Sequence, residues 1–147
     1  MKRIVSLLLA LLLWTGAAHA QRDMKSNPVF QGRIVPGKMM VRTEVRGGNM
    51  ATYKLDYYLG VSFQVDARLA GQVASLVEAD AASAEVRETE KTGDLLTYAL
   101  VQPKAKGKTN RYLCYQARPV GNEWKVTLLY LEGPATLEDL KNMFEKQ

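Results

Sequence analysis

The chain has 147 residues, with 20 Lys or Arg against 15 Asp or Glu and a net charge of +5. So mild an excess makes no case for nucleic acid as a partner. One histidine and one cysteine exclude an intramolecular disulfide and any thiolate zinc site.

The first 20 residues read as a cleavable secretory signal. Lys2 and Arg3 supply a positive n-region, Ile4 to Trp14 form an apolar run broken only by Ser6, and Ala18-His19-Ala20 is a small-x-small cleavage site. The apolar run is about ten residues, whereas a membrane-spanning helix needs roughly 20. The expected mature protein is residues 21–147, a single domain of 127 residues that is periplasmic or secreted and has no membrane span. Its charge falls to 18 basic against 15 acidic, or +3, because Lys2 and Arg3 leave with the signal.

His19 leaves too. A mature chain without imidazole lacks the commonest general base near neutral pH. It also excludes the Ser-His and Cys-His nucleophile arrangements. A Ser-Lys pair stays open in principle, but Ser26, Ser62, Ser75 and Ser83 show no S-x-x-K spacing.

Asn27-Pro28 is expected to cap a short helical turn through Val29 and Phe30. Pro36-Gly37 marks a turn. Met39 to Arg46 alternates as a half-buried strand, and Gly47-Gly48-Asn49 has hairpin chemistry. A second strand is expected with Tyr53, Leu55 and Tyr57 on one face, then a short alternation of Val61, Phe63 and Val65 after Gly60. Asp66 is the expected N-cap of an amphipathic helix over 67–82, whose Leu69, Val73, Leu76 and Val77 share one stripe. Gly71 weakens that helix by about 1 kcal/mol at most.

Strand signals dominate the second half of the chain. Glu85 to Glu90 and Leu95 to Val101 flank a turn at Lys91-Thr92-Gly93-Asp94. Arg111 to Arg118 is the next strand, ended by Pro119, and Trp124 to Leu131 is the last. Thr136-x-x-Asp139 has the form of a capping box, opening a helix striped by Leu137, Leu140, Met143 and Phe144. The expected fold class is α+β: an antiparallel sheet of five or six strands with a C-terminal meander. The long helix and the C-terminal helix are expected to pack on one face.

Two residue sets have functional readings. Lys104, Lys106 and Lys108, on a glycine-bearing loop with Arg111 close behind, form a candidate contact for phosphates or acidic sugars; the alternative is a solvated loop. Tyr57, Tyr98, Tyr115, Trp124 and Tyr130 form a candidate aromatic surface for a glycan or lipid, unless they are core residues placed by strand preference. Glu85, Glu88 and Glu90 suggest carboxylate chemistry, but Arg87 and Lys91 beside them suit a solvated strand. Cys114 is expected to act as a small buried hydrophobe, the alternative being an intermolecular disulfide. No catalytic residue, metal or cofactor is assigned.

Asn110-Arg111-Tyr112-Leu113, Val126 to Gly133 and Ala135 to Lys141 together resemble a domain-of-unknown-function family. Its members are small Sec-exported envelope proteins of Gram-negative gut anaerobes. Val29 to Arg33 and Thr43-Glu44-Val45 are similar to its opening segment. The resemblance implies export and a strand-rich fold and brings no catalytic residues. The leading functional expectation is a non-enzymatic envelope module that binds a protein. A carrier or sensor of a small ligand is the second, and an enzyme run by carboxylates alone the third. The partner's identity and the oligomeric state are left open.

Overall fold

Two intervals of alternating apolar residues, one before Asp66 and one after Val86, frame the long helix. The computed structural model describes residues 23–105, 107 and 109–145; the expected signal and its cleavage site lie outside them, as do Lys106 and Lys108. Helix α1 spans Asn27–Phe30, strand β1 Met40–Arg46, β2 Tyr57–Val65 and helix α2 Ala67–Ala82. Strands β3 (Val86–Thr92), β4 (Leu95–Gln102), β5 (Asn110–Val120) and β6 (Glu123–Gly133) come next, then α3 (Leu137–Glu145). Among the described residues the sheet has six strands in the order β1-β2-β6-β5-β4-β3, with every neighbouring pair antiparallel.

Both capping predictions hold for the long helices. The Asp66 carboxylate accepts the Leu69 N–H at 2.9 Å and so satisfies an orphan donor of the first turn of α2. Thr136 and Asp139 cap each other reciprocally: the Thr136 N–H donates to Asp139 and the Asp139 N–H to Thr136. The Thr136 amide first and then its hydroxyl, with Lys54 nearby, hold the Asp139 carboxyl below its usual pKa.

Helix α2 carries the chain from β2, near one edge, to β3 at the other. Its Ala70, Val73, Ala74, Val77 and Ala81 cover the inner face of the sheet, chiefly over β4, and form one core with Ala99, Val101, Leu59, Val61, Phe63, Val126 and Leu128. Each fully buried Val or Leu there contributes about 1.5–3 kcal/mol. Val29, Phe30 and Val35 of the N-terminal segment extend the same core.

The C-terminal helix is not on that face. Leu137, Leu140 and Met143 pack with Met50, Leu55, Tyr112 and Leu131, a separate cluster on the outer face. The expectation of both helices on one face is therefore corrected. Strand parity explains it: on β6, Val126, Leu128 and Tyr130 point inward while Leu129 and Leu131 point outward, so both faces carry apolar surface.

Other boundaries shift for physical reasons. Gly47–Tyr53 is a 3-10 helix, not a tight hairpin, which lets Met50 and Leu55 drop into the outer cluster. Tyr53 and Leu55 thus leave the expected strand, and β2 runs unbroken from Tyr57 through Gly60. A Cβ at Gly60 would meet the Leu129 side chain at 2.9 Å, so the missing side chain makes room for its neighbours. Asn27 is not the cap of α1 but its first residue, and a side chain of α2 satisfies the amides there. Strand β5 continues through Pro119, because β4 pairs with β5 only up to Gln116, leaving the proline at an unpaired flank.

Candidate functional site

Arg111 lies at the start of β5 with its side chain turned to the inner face, and only 2% of the residue is exposed. Its guanidinium donates to both carboxylate oxygens of Asp23, at 2.8 and 3.2 Å, to the Lys104 carbonyl and to the Tyr130 hydroxyl. Burial disfavours its charge, but these acceptors outweigh it and hold the pKa above the usual value. The Tyr130 hydroxyl donates in turn to Glu132. Arg111 is thus a structural anchor for the N-terminal segment and cannot join a lysine surface. Lys104 is exposed, apart from the buried Arg111, while Lys106 and Lys108 lie outside the described residues.

The five candidate aromatics separate in the same way. Tyr57, Tyr115 and Tyr130 belong to the inner core, and the Tyr57 and Tyr130 rings meet edge to face at 6.1 Å. Burial first, and then a hydrogen bond to Glu44, raises the Tyr57 pKa; burial, then Glu132, does the same for Tyr130. Tyr98 and Trp124 approach a common recess, of about 380 Å³, which also involves Thr92, Thr97 and Pro119. It forms where the β5–β6 hairpin extends past the β3–β4 hairpin. Strand preference explains the three buried tyrosines, and no shared aromatic groove results.

The larger of these two depressions is on the outer face, beside the α3 cluster against which its Cys114 and Leu129 pack. It has a volume of about 460 Å³ and is lined by Tyr98, Leu100, Cys114, Gln116, Thr127 and Leu129, with Ala99 and Tyr115 between them. Register brings these side chains together. Tyr98 pairs with Gln116, Leu100 with Cys114, Cys114 with Leu129 and Gln116 with Thr127, so three adjacent strands present one face. The floor is apolar, and Gln116 and Thr127 place hydrogen-bonding groups at its rim.

Cys114 is half-buried, yet burial of its thiol pushes the pKa up to about 12. At neutral pH it is a protonated, apolar part of the wall and a poor nucleophile. Burial likewise raises Tyr98, with Cys114, Glu88 and Glu90 adding to the effect. Glu88 itself is salt-bridged to Lys141 of α3. Among the described residues, no three Asp, Glu, His or Cys side chains gather as metal ligands. Also among them, no helix is long and apolar enough to cross a membrane.

Of this lining, Tyr98, Tyr115 and Cys114 stand out in the sequence, and Cys114 without a site. Gln116, Thr127 and Leu129 carry a parity signal within their own strands, but the register that joins them depends on two long hairpins.

Residues 13–144 match the model of a family of unknown function (DUF6108), and the chain belongs to that family. No curated protein and no solved structure matches it.

Proposed function

We propose that the chain is an exported, non-enzymatic envelope protein that serves as a protein-interaction module, seating an apolar side chain of its partner in the outer-face depression. The observation that carries this reading is the half-open cavity of about 460 Å³ walled by Leu100, Cys114 and Leu129, with Gln116 and Thr127 at its rim. An apolar floor within a polar rim is the arrangement that anchors a hot-spot side chain. Export is supported by the sequence of residues 1–20, and the absence of histidine after His19 supports a non-catalytic role. The protonated Cys114 thiol points the same way.

A small-ligand carrier is the second reading, favoured by the cavity's size, since ligand pockets span about 300–1,000 Å³. A carrier, however, encloses most of its ligand, and this depression opens along one side.

The test is native mass spectrometry of the protein purified gently from its own envelope, beside a Gln116→Arg/Thr127→Arg variant. A mature mass beginning at Gln21 is expected, with a stoichiometric protein companion that the variant loses. A small-mass adduct lost in the variant would replace this reading with the carrier. A companion retained by the variant would overturn the outer-face assignment.

A further inference from the structure

Strand β1 is one edge of the sheet and β3 the other. An edge exposes unpaired backbone donors and acceptors, and proteins usually guard it with charge, bulges or cover. Strand β3 carries Arg87, Glu88, Glu90 and Lys91 in a pattern that repels its own copy. Centred on Thr89, antiparallel self-pairing would set Arg87 opposite Lys91 and Glu88 opposite Glu90, like against like. A register irregularity between Glu90 and Lys91 interrupts the edge further.

Strand β1 is built the other way. It reads Met40-Val41-Arg42-Thr43-Glu44-Val45-Arg46 and is exposed along most of its length, with Val41 71% exposed. Arg42, Glu44 and Arg46 project on the inner side, where Arg42 and Arg46 approach Glu44 at 3.5 and 3.9 Å. Val41, Thr43 and Val45 share the outer side, as their pairing with Ser62, Gly60 and Tyr58 requires.

From this pattern we infer that β1 pairs antiparallel with β1 of a second copy, about a two-fold axis at Thr43. In that register Thr43 faces Thr43, Val41 faces Val45, and Arg42 faces Glu44 twice, once on each side of the axis. Opposite charges and β-branched pairs directly across a ladder are the favourable cross-strand combinations. The contact is isologous, as a closed dimer needs. Shifting the register by two residues either way destroys it: one shift opposes Arg42 to Arg42, the other opposes Glu44 to Glu44 and Arg42 to Arg46. A shift by one would turn the valines to the wrong side. Two six-stranded sheets would become one continuous sheet of twelve, with α2 on the same face in both copies. The self-pairing edge is separate from the outer-face depression, so either assignment can fail alone.

The test is the concentration-dependent mass of the mature protein by sedimentation or light scattering. The wild type is expected to dimerise. Glu44→Arg and Arg42→Glu alone are each expected to weaken the dimer about tenfold or more by setting like charges across the axis. The double variant Arg42→Glu/Glu44→Arg restores opposite charges and is expected to recover it. Thr43→Asp, at an exposed position outside the charge cluster, is expected to give a folded monomer. Recovery in the double swap, which a simple folding defect would not produce, supports the register. A monomeric wild type, a dimer indifferent to Thr43→Asp, or a ladder of higher oligomers would each overturn it.

Discussion

Asp80 and Ser26 stand 54 residues apart, and the buried Asp80 carboxylate accepts the Ser26 backbone N–H at 2.9 Å. Its other oxygen accepts the Lys25 N–H at 2.6 Å. A side chain from the last turns of α2 thus does for α1 what a local N-cap does elsewhere, taking up donors that would otherwise be buried without partners. Arg111 and Asp23 make a second clamp on the same segment. Between them, Val29, Phe30 and Val35 are pressed into the inner core.

Asp80→Ala should therefore release the N-terminal segment first. Charged hydrogen bonds of this kind are worth about 1.5–3 kcal/mol each, with the cost concentrated in the amides left buried. The expected outcome is a loss of about 2–4 kcal/mol in denaturant unfolding, with hydrogen exchange rising most at residues 25–35. Uniform acceleration across the sheet would mean that Asp80 supports the whole core and not this segment.

Cys114 provides a test at alkaline pH. Burial raises its thiol to about 12, so the folded state favours the protonated form over the unfolded state. That contribution is fully present below the unfolded thiol's value of about 8.5 and is lost as pH rises from there through about 12. Tyr115, raised to about 12 by burial and then by Glu78, adds a loss beginning near pH 10. Cys114→Ala should flatten the first part of the alkaline decline, above about pH 8.5. Alkylation by iodoacetamide at pH 8 should run about a hundredfold or more slower in the native protein than in the unfolded chain. Equal rates would show a thiol in contact with solvent.

Much of this architecture is legible in local pattern. Asp66, the Leu69–Val77 stripe, the turn at Gly93 and the Thr136–Asp139 box each act within a few residues, so the physics that places them is printed side by side in the sequence. The illegible part depends on distant pairings. The outer position of α3 comes from the two-sided apolar pattern of β5 and β6, which reads as burial without saying which helix covers which side. Arg111 reads as a surface cation at a strand's start because Asp23 is 88 residues away. The depression needs the register of three strands, and Asp80 looks like one more acid on a helix.

Gly133 tests the junction that holds α3 in place. It ends β6 with φ near 155°, and a Cβ there would sit 2.6 Å from the Leu55 Cα and 2.7 Å from the Lys54 carbonyl oxygen. Those are backbone atoms, so no rotamer change relieves the clash. The crowding has a purpose visible in the hydrogen bonds on either side. The Asp56 N–H donates to the Glu132 carbonyl and the Ala135 N–H to the Lys54 carbonyl, so the two chain segments are laced together around the glycine. The Ala135 carbonyl then accepts the Tyr112 hydroxyl at 2.6 Å and the Asn110 amide at 3.1 Å, which aims the chain into α3. Gly133→Ala must push these segments apart, and overpacking with backbone strain costs about 2–4 kcal/mol. The expected result is a lower denaturant midpoint together with early loss of protection in α3, the element downstream of the junction. Thr136→Ala, which removes only the side-chain half of the cap, should cost about 1 kcal/mol. A Gly133→Ala effect no larger than that of Thr136→Ala would show that the junction yields easily and that α3 is held by its apolar stripe alone.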